Sequence, residues 1–295
     1  MAPELSVVIP TRDRPTLLPQ AVASALDSLP PGGEVVVIDD AGTPPADGVL
    51  PAHPRLRLLR NDAALGPAAA RNRGVAEAQG TVILFLDDDD VLLPGYAAAV
   101  QALAATDPQA GWGFSPTLAH GSDGPQPAPV IADLGAAPMP PPFGRRHLAG
   151  LGCGFWIRKA LFVEAGGLDP SLRTNEDTEF CLRLLSSGAL PWRAAVAGVS
   201  IRETPRRTRR APGTSVTRGT GPLARAGYFA AILDRHGGFL ATAPALARHL
   251  HRRRLKMLAK AGRGTDGIAA ARAAGDAGAL PYFLANWLVY RLVRG

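Results

Sequence analysis

The sequence predicts an α/β protein: a mostly parallel sheet covered by helices, followed by a helical extension at the C-terminus. Three observations carry that prediction. Two runs of large apolar residues, Val35-Val36-Val37-Ile38 and Val82-Ile83-Leu84-Phe85-Leu86, read as strands buried on both faces. Segments of helical periodicity lie between such runs, and strands alternating with helices imply parallel pairing through right-handed crossovers. Both runs end directly in acids, Asp39-Asp40 and Asp87 to Asp90, at the edge where open α/β sheets bind ligands.

Leu5 to Ile9 forms the first strand, ending at Pro10-Thr11. Pro15 to Leu29 carries Leu18, Val22, Ala25, Leu26 and Leu29 at helical spacing, and Pro30-Pro31-Gly32-Gly33 stops it. Glu34 to Ile38 is the second strand. Leu56 and Leu58 alternate with Arg55, Arg57 and Arg60 as in a more exposed strand. Gly66-Pro67 opens an Ala-rich helix that runs to Gln79, with Gly80 as its stop. Val82 to Leu86 and its acids come next, then a helix from about Pro94 to Ala105.

Residues 106–150 are rich in Gly and Pro and read as loop, most of all 127–142. Leu151 to Ile157 reads as a strand, Lys159 to Ala165 as a short helix, and Asn175 to Ser187 as a helix with Asn175 as N-cap. From about Pro222 the pattern is helical, with a break at Gly262 to Gly267. The expected division is a catalytic domain over 1–221, with a nucleotide-binding half (1–105) and an acceptor half (106–221), then a basic helical extension over 222–295.

The chain has 295 residues and a net charge of +7 that hides an asymmetry. Residues 1–200 hold 14 Lys and Arg against 21 Asp and Glu, whereas residues 201–295 hold 18 against 4. A uniformly basic domain would have pointed to nucleic acid; this division does not. It fits an acidic, metal-using body with a basic tail facing phosphates, anionic lipid or an acidic partner. Cys153 and Cys181 lack metal or CxxC spacing and read as small buried hydrophobes, so a reducing cytoplasm is expected. No apolar stretch reaches the ~18 residues that span a bilayer. The helix over Pro281 to Val293 and the cations at 248–260 could rest on an anionic membrane leaflet at the inner face of the cell membrane, or pack on the body or a second subunit of a homo-oligomer.

Four packed carboxylates repel one another, and such a cluster persists where a cation, most often a divalent metal, sits among them. On a strand alternate residues share a face, which favours Asp87 with Asp89 as the pair. Arg206, Arg207, Arg209 and Arg210 suit phosphate oxygens and would close a loop over a diphosphate. Trp112, Trp156 and Trp192 could stack on sugar faces or simply fill the core.

Six segments stand in one order: Ser6 to Arg14 (SVVIPTRDR), Val37 to Thr43 (VIDDAGT), Gly66 to Gly74 (GPAAARNRG), Phe85 to Asp90 (FLDDDD), Gly166 to Asp169 (GGLD) and Asn175 to Glu179 (NEDTE). In these the chain resembles the family 2 glycosyltransferases over about residues 4–220. The resemblance implies the A-type nucleotide-diphospho-sugar transferase fold and an inverting, metal-dependent transfer from a nucleotide-diphosphate sugar, UDP-linked, to an acceptor hydroxyl. The acceptor would be a glycan, a lipid-linked glycan or a small molecule, in a setting such as cell-surface polysaccharide synthesis.

The resemblance makes Asp177 the general base and Asp89 the metal ligand, with Mg²⁺ or Mn²⁺ as cofactor. Asp87 would face ribose or the metal's waters, or join Asp89 as a ligand. Asp39 would accept from the uracil N–H, while Pro10, Thr11, Arg14, Arg71 and Asp88 line the donor pocket. Glu176 and Trp156 lie on the acceptor side. Many members place a metal-binding histidine some 25 residues after the base, and Val196 to Thr220 holds none. Either Glu203 ligates instead, or arginines such as Arg206 and Arg207 take over part of the charge neutralisation, or metal binding is weaker than usual. Two other functions stay open: a sugar-phosphate nucleotidyltransferase, although no Gly-rich basic loop follows the first strand, and a degenerate carbohydrate-binding protein. A nicotinamide-dependent dehydrogenase is disfavoured, since no GxGxxG follows that strand.

Overall fold

The computed structural model describes residues 4–121, 124–202 and 219–292. The chain divides into two compact units. The first comprises Met1–Met139, Ala149–Ser171 and Glu176–Arg210, the second Pro140–Leu148, Leu172–Asn175 and Ala211–Gly295.

In the first unit the elements run β1 (Leu5–Thr11), α1 (Leu18–Ser28), β2 (Glu34–Asp39), β3 (Leu56–Arg60), α2 (Pro67–Glu77), β4 (Val82–Phe85), β5 (Val91–Leu92) and α3 (Tyr96–Thr106). They continue with β6 (Trp112–Phe114), β7 (Thr117–His120), β8 (Ala137–Pro138), β9 (Trp156–Arg158), α4 (Lys159–Glu164), α5 (Glu176–Ser186), β10 (Pro191–Arg193) and β11 (Val199–Arg202). Eight strands form one sheet in the order β3-β2-β1-β4-β9-β6-β10-β8, and β5, β11 and β7 form a second. The four strands from β3 to β4 are parallel, as expected. Beyond them β9 runs antiparallel to both β4 and β6, and β8 antiparallel to β10.

The continuous apolar runs bury both faces. Val7, Ile9, Val35, Val37, Val82 and Leu84 join a core with Leu18 and Val22 of α1 and Tyr96 and Val100 of α3. Their neighbours Val8, Val36, Ile83 and Phe85 are equally inaccessible. Each such side chain contributes roughly 1.5–3 kcal/mol relative to exposure. Helix α2 packs so closely on β1 that a Cβ at Gly74 would stand 2.4 Å from Val8 Cγ1.

Three expectations need correction. The segment 106–150 is not all loop, because β6, β7 and β8 lie in it; at two to four residues each they are too short to show periodicity. The strand expected over Leu151 to Ile157 is β9, and residues 151–154 form a turn with Gly154 at φ +60°. Residues 140–148 and 172–175 belong with the helical unit rather than the acceptor half. The first of these carries Phe143, whose ring lies 5.7 Å from that of Phe239, and the buried His147.

The second unit contains helices Pro222–Arg235, Gly237–Thr242, Pro244–Lys260, Gly264–Ala273 and Ala279–Leu292. Phe229, Ile232, Leu246, Leu250, Leu255 and Phe283 are buried in it. Among the described residues, no helix is long and apolar enough to cross a membrane.

Candidate active site

Strands β1, β2 and β4 run in the same direction, so their carboxyl ends, Thr11, Asp39 and Phe85, meet at one edge. The chain order reverses between β1 and β4, which opens a ligand crevice beyond those ends. The acids after β4 do not continue the strand. Asp90 N donates to Asp87 O (3.2 Å), closing a turn that returns Asp90 beside Asp87 and Asp89. One carboxylate oxygen from each of these three lies within 4.8 Å of the others. Strand alternation therefore does not select the set, and Asp90 joins the Asp87/Asp89 pair. Asp88 stands apart and accepts from Thr11 Oγ1 at 2.7 Å.

Burial and crowding hold Asp88, Asp89 and Asp90 protonated more readily than usual. Burial pushes Asp90 up to about 8, with Asp87 and Asp89 adding repulsion. Burial raises Asp88 to about 6 against the opposing Thr11 hydrogen bond. Asp89 is raised by burial and then by Asp87, and Arg14 Nη2 lies 3.7 Å from it. An all-oxygen set of three crowded carboxylates fits a hard divalent cation, which would relieve both the repulsion and the burial cost.

Asp39 and Asp40 are both buried at the end of β2. Asp39 Oδ1 accepts from Gly42 N (2.7 Å) and Oδ2 from Ala46 N (3.0 Å), and Arg60 makes a further short contact to Oδ2. It thus ties its own turn as well as lining a small recess with Thr11, Arg14, Pro15 and Pro44. Pro10, just before the end of β1, is half-buried. Asp40 anchors the approach to α2. It accepts from Asn61 Nδ2 (2.7 Å), Leu65 N (2.8 Å) and Gly66 N (2.8 Å).

Arg71, buried on α2, joins two regions of the site. Its Nη2 donates to Asp87 Oδ1 at 2.6 Å and its Nη1 to Glu176 Oε1 at 3.3 Å. Burial alone would lower its pKa, but Asp87 and Glu176 outweigh that and raise it. Its Nε is buried with no partner among the described residues. Glu176, at the start of α5, is pushed up by burial and by the adjacent Asp177. Asp177 Oδ1 accepts from Thr178 N at 2.6 Å. The turn before β9 reaches both carboxylates. A Cβ at Gly152 would stand 2.4 Å from Asp87 Oδ2, and one at Gly150 would stand 3.5 Å from Asp177 Oδ2.

Trp156 is fully buried in the core, so its ring is not available to stack on a sugar; Trp112 is buried likewise. They lie on opposite faces of the sheet, since Trp156 pairs with Gly113, the neighbour of Trp112. Glu203, Arg206 and Arg207 lie outside the described residues. Sequence reasoning missed the carboxylate contact of Arg60, the anchoring by Asp40 and the bridge through Arg71. Only Arg60 gave a signal, as the cation ending a strand that pairs with β2.

Residues 6–127 match the model of the glycosyl transferase family 2. Over 206 residues the chain is 31% identical to succinoglycan biosynthesis protein ExoU of Rhizobium meliloti (strain 1021), covering 63% of this chain and 58% of that protein. It is 24% identical over 196 residues to an uncharacterized glycosyltransferase of Haemophilus influenzae, covering 61% and 62%. The chain thus spans about three fifths of the length of these curated relatives. The crystal structure of S. aureus TarS 1–349 in complex with UDP-GlcNAc matches with a TM-score of 0.62 at 16% identity, covering 99% of this chain and 91% of that one. That likeness bears out the A-type nucleotide-diphospho-sugar transferase fold. Residues 6–127 are thus similar to glycosyl transferase family 2, and the chain has the fold of the A-type nucleotide-diphospho-sugar transferases.

Proposed function

We propose that this chain transfers a sugar from a UDP-linked donor to an acceptor hydroxyl, with inversion at the anomeric carbon. The observation that carries this reading is the bridge made by Arg71. It links Asp87, beside the carboxylates suited to a cation, with Glu176, the neighbour of Asp177. Donor handling and proton removal are thereby brought to one edge of the sheet. Asp39, Pro10, Thr11, Arg14 and Asp88 bind the nucleotide, and the unpartnered Nε of Arg71 gives the donor one more hydrogen-bond donor. Asp87, Asp89 and Asp90 would hold Mg²⁺ or Mn²⁺, supplying neutralisation of the charge that develops on the departing diphosphate.

In the transfer step the acceptor oxygen bonds to the anomeric carbon while the bond from that carbon to the donor's phosphate oxygen breaks on the opposite face. Asp177 takes the acceptor proton. Glu176 holds Arg71 in place. From the sequence alone, either Arg206 and Arg207 would neutralise the diphosphate or Glu203 would be a further ligand. The relative named for succinoglycan biosynthesis supports a glycan acceptor.

Calorimetric titration of UDP with and without Mn²⁺ tests the donor half. Asp89→Ala is expected to abolish the metal-linked gain in affinity. Asp177→Asn should leave that binding intact and lower transfer by roughly 10²-fold or more. UDP binding indifferent to Mn²⁺ would overturn the cation site, and transfer surviving in Asp177→Asn would overturn the base.

A further inference from the structure

The last helix of the second unit presents its apolar side outward. Ala279–Leu292 buries Phe283, while Leu284, Leu288, Val289 and Leu292 are 44%, 55%, 54% and 72% exposed. Pro281 and Ala285 are exposed too. At 100° per residue Leu284, Leu288, Pro281, Leu292 and Ala285 fall on one continuous stripe, with Val289 beside it. A stripe of this size and shape marks a surface that something covers.

Its borders say what the cover is. Arg291 lies over the Trp287 ring (5.0 Å) on one side of the stripe, and Arg252 over the Tyr282 ring (5.5 Å) on the other. Lys260 lies over Tyr290 (5.4 Å), which falls on the far side of the helix from the stripe, near the buried Phe283. Trp and Tyr rings carrying cations, beside an apolar stripe, match the layered polarity of a membrane interface: tails, ring depth, head groups. Charge agrees. Helix Pro244–Lys260 carries six Lys and Arg and no acid, and residues 219–292 hold eleven Lys and Arg against three Asp. A second copy of this unit would bring like charge to the same stripe, whereas an anionic surface complements it.

We propose that helix Ala279–Leu292 docks this chain onto an anionic lipid surface. Leu284, Leu288 and Leu292 enter the acyl boundary, while Arg252 and Arg291 meet the head groups. The helix lies in the plane of the surface and does not span it.

The test needs no knowledge of donor or acceptor, so its failure is distinct from failure of the transferase reading. The full chain is floated with vesicles of phosphatidylcholine alone or with about one part in three phosphatidylglycerol. Partitioning onto the anionic vesicles should exceed that onto neutral ones by roughly tenfold or more at low salt, and fall as salt is raised. Leu284→Asp with Leu288→Asp, both at exposed positions, should weaken it by roughly tenfold or more with the melting temperature unchanged. Equal partitioning onto both vesicle types overturns the proposal, as does binding that the double substitution leaves intact. A dimer in light scattering that the same substitution converts to monomer would make a second copy the occupant and overturn the lipid assignment.

Discussion

Replacing Arg71 by methionine keeps the length of the side chain and removes the cation between Asp87 and Glu176. Both partners sit within hydrogen-bonding reach of it, at 2.6 and 3.3 Å. Removing one member of a buried pair costs about 3–5 kcal/mol, because the surviving charge keeps its desolvation penalty. The Asp87 side chain is 37% exposed, so water recovers part of the loss there; that of Glu176 is 10% exposed and gains little. The lower end, about 3 kcal/mol, is expected. The deficit also depends on pH. Glu176 already holds its proton more tightly than in the unfolded chain, and loss of Arg71 strengthens that hold. The folded state then binds more protons than the unfolded state between the two pKa values, so stability falls as pH rises through that window. Urea unfolding of chelator-treated protein near pH 5.5 and near pH 8, followed by tryptophan fluorescence from the buried Trp112 and Trp156, reads both effects. A loss below about 1 kcal/mol, or one equal at the two pH values, refutes the bridge.

Two further outcomes follow from the same edge. Asp90 must lose its proton to ligate a cation, so apparent Mn²⁺ affinity should rise with pH toward about 8, by up to roughly tenfold per pH unit for one proton; a calorimetric profile that is flat from pH 6 to 8 refutes this. Without metal, the same raised pKa makes the folded state the tighter proton binder, so stability falls as pH rises toward about 8 and added Mn²⁺ restores it. Asp40→Ala strips the partner from Leu65 N and Gly66 N. At about 1 kcal/mol for each of these partly buried donors left unpaired, urea unfolding should show a loss of about 2 kcal/mol, and a loss under about 1 kcal/mol would assign Asp40 no anchoring role.

The parallel half of the sheet was legible because Val35 to Ile38 and Val82 to Phe85 are unbroken apolar runs, which few other environments accept. The acids at their ends were legible for the same reason, since charge directly after a core strand must leave the core. What lay beyond short-range pattern was geometry made by turns. The Asp87–Asp90 turn decides which carboxylates converge, and four identical residues in a row carry no mark of it. Strand β6, three residues with a glycine at its centre, gave no periodicity to read; it exists because Trp112 and Gly113 pair with Ile157 and Trp156, 45 and 43 positions away. The Arg71 bridge spans 105 residues between α2 and α5, and only tertiary folding brings those ends together. Trp156 illustrates the opposite case: an aromatic that could have served a ligand serves the core.

Strand β9 enters the sheet against the direction of its neighbour β4, so the residues leading into β9, not those leaving it, abut the acids. Gly152 occupies that doorway with no room for a side chain, since a Cβ there would stand 2.4 Å from Asp87 Oδ2. The stretches before and after residue 105 therefore meet along two strand pairs, β4 with β9 and β5 with β11, and at this glycine turn. On the proposed reading, chimaeras that exchange the chain after Asp90 would bring a new acceptor preference to an old nucleotide site, provided the incoming segment keeps a bare backbone where it crosses the threshold.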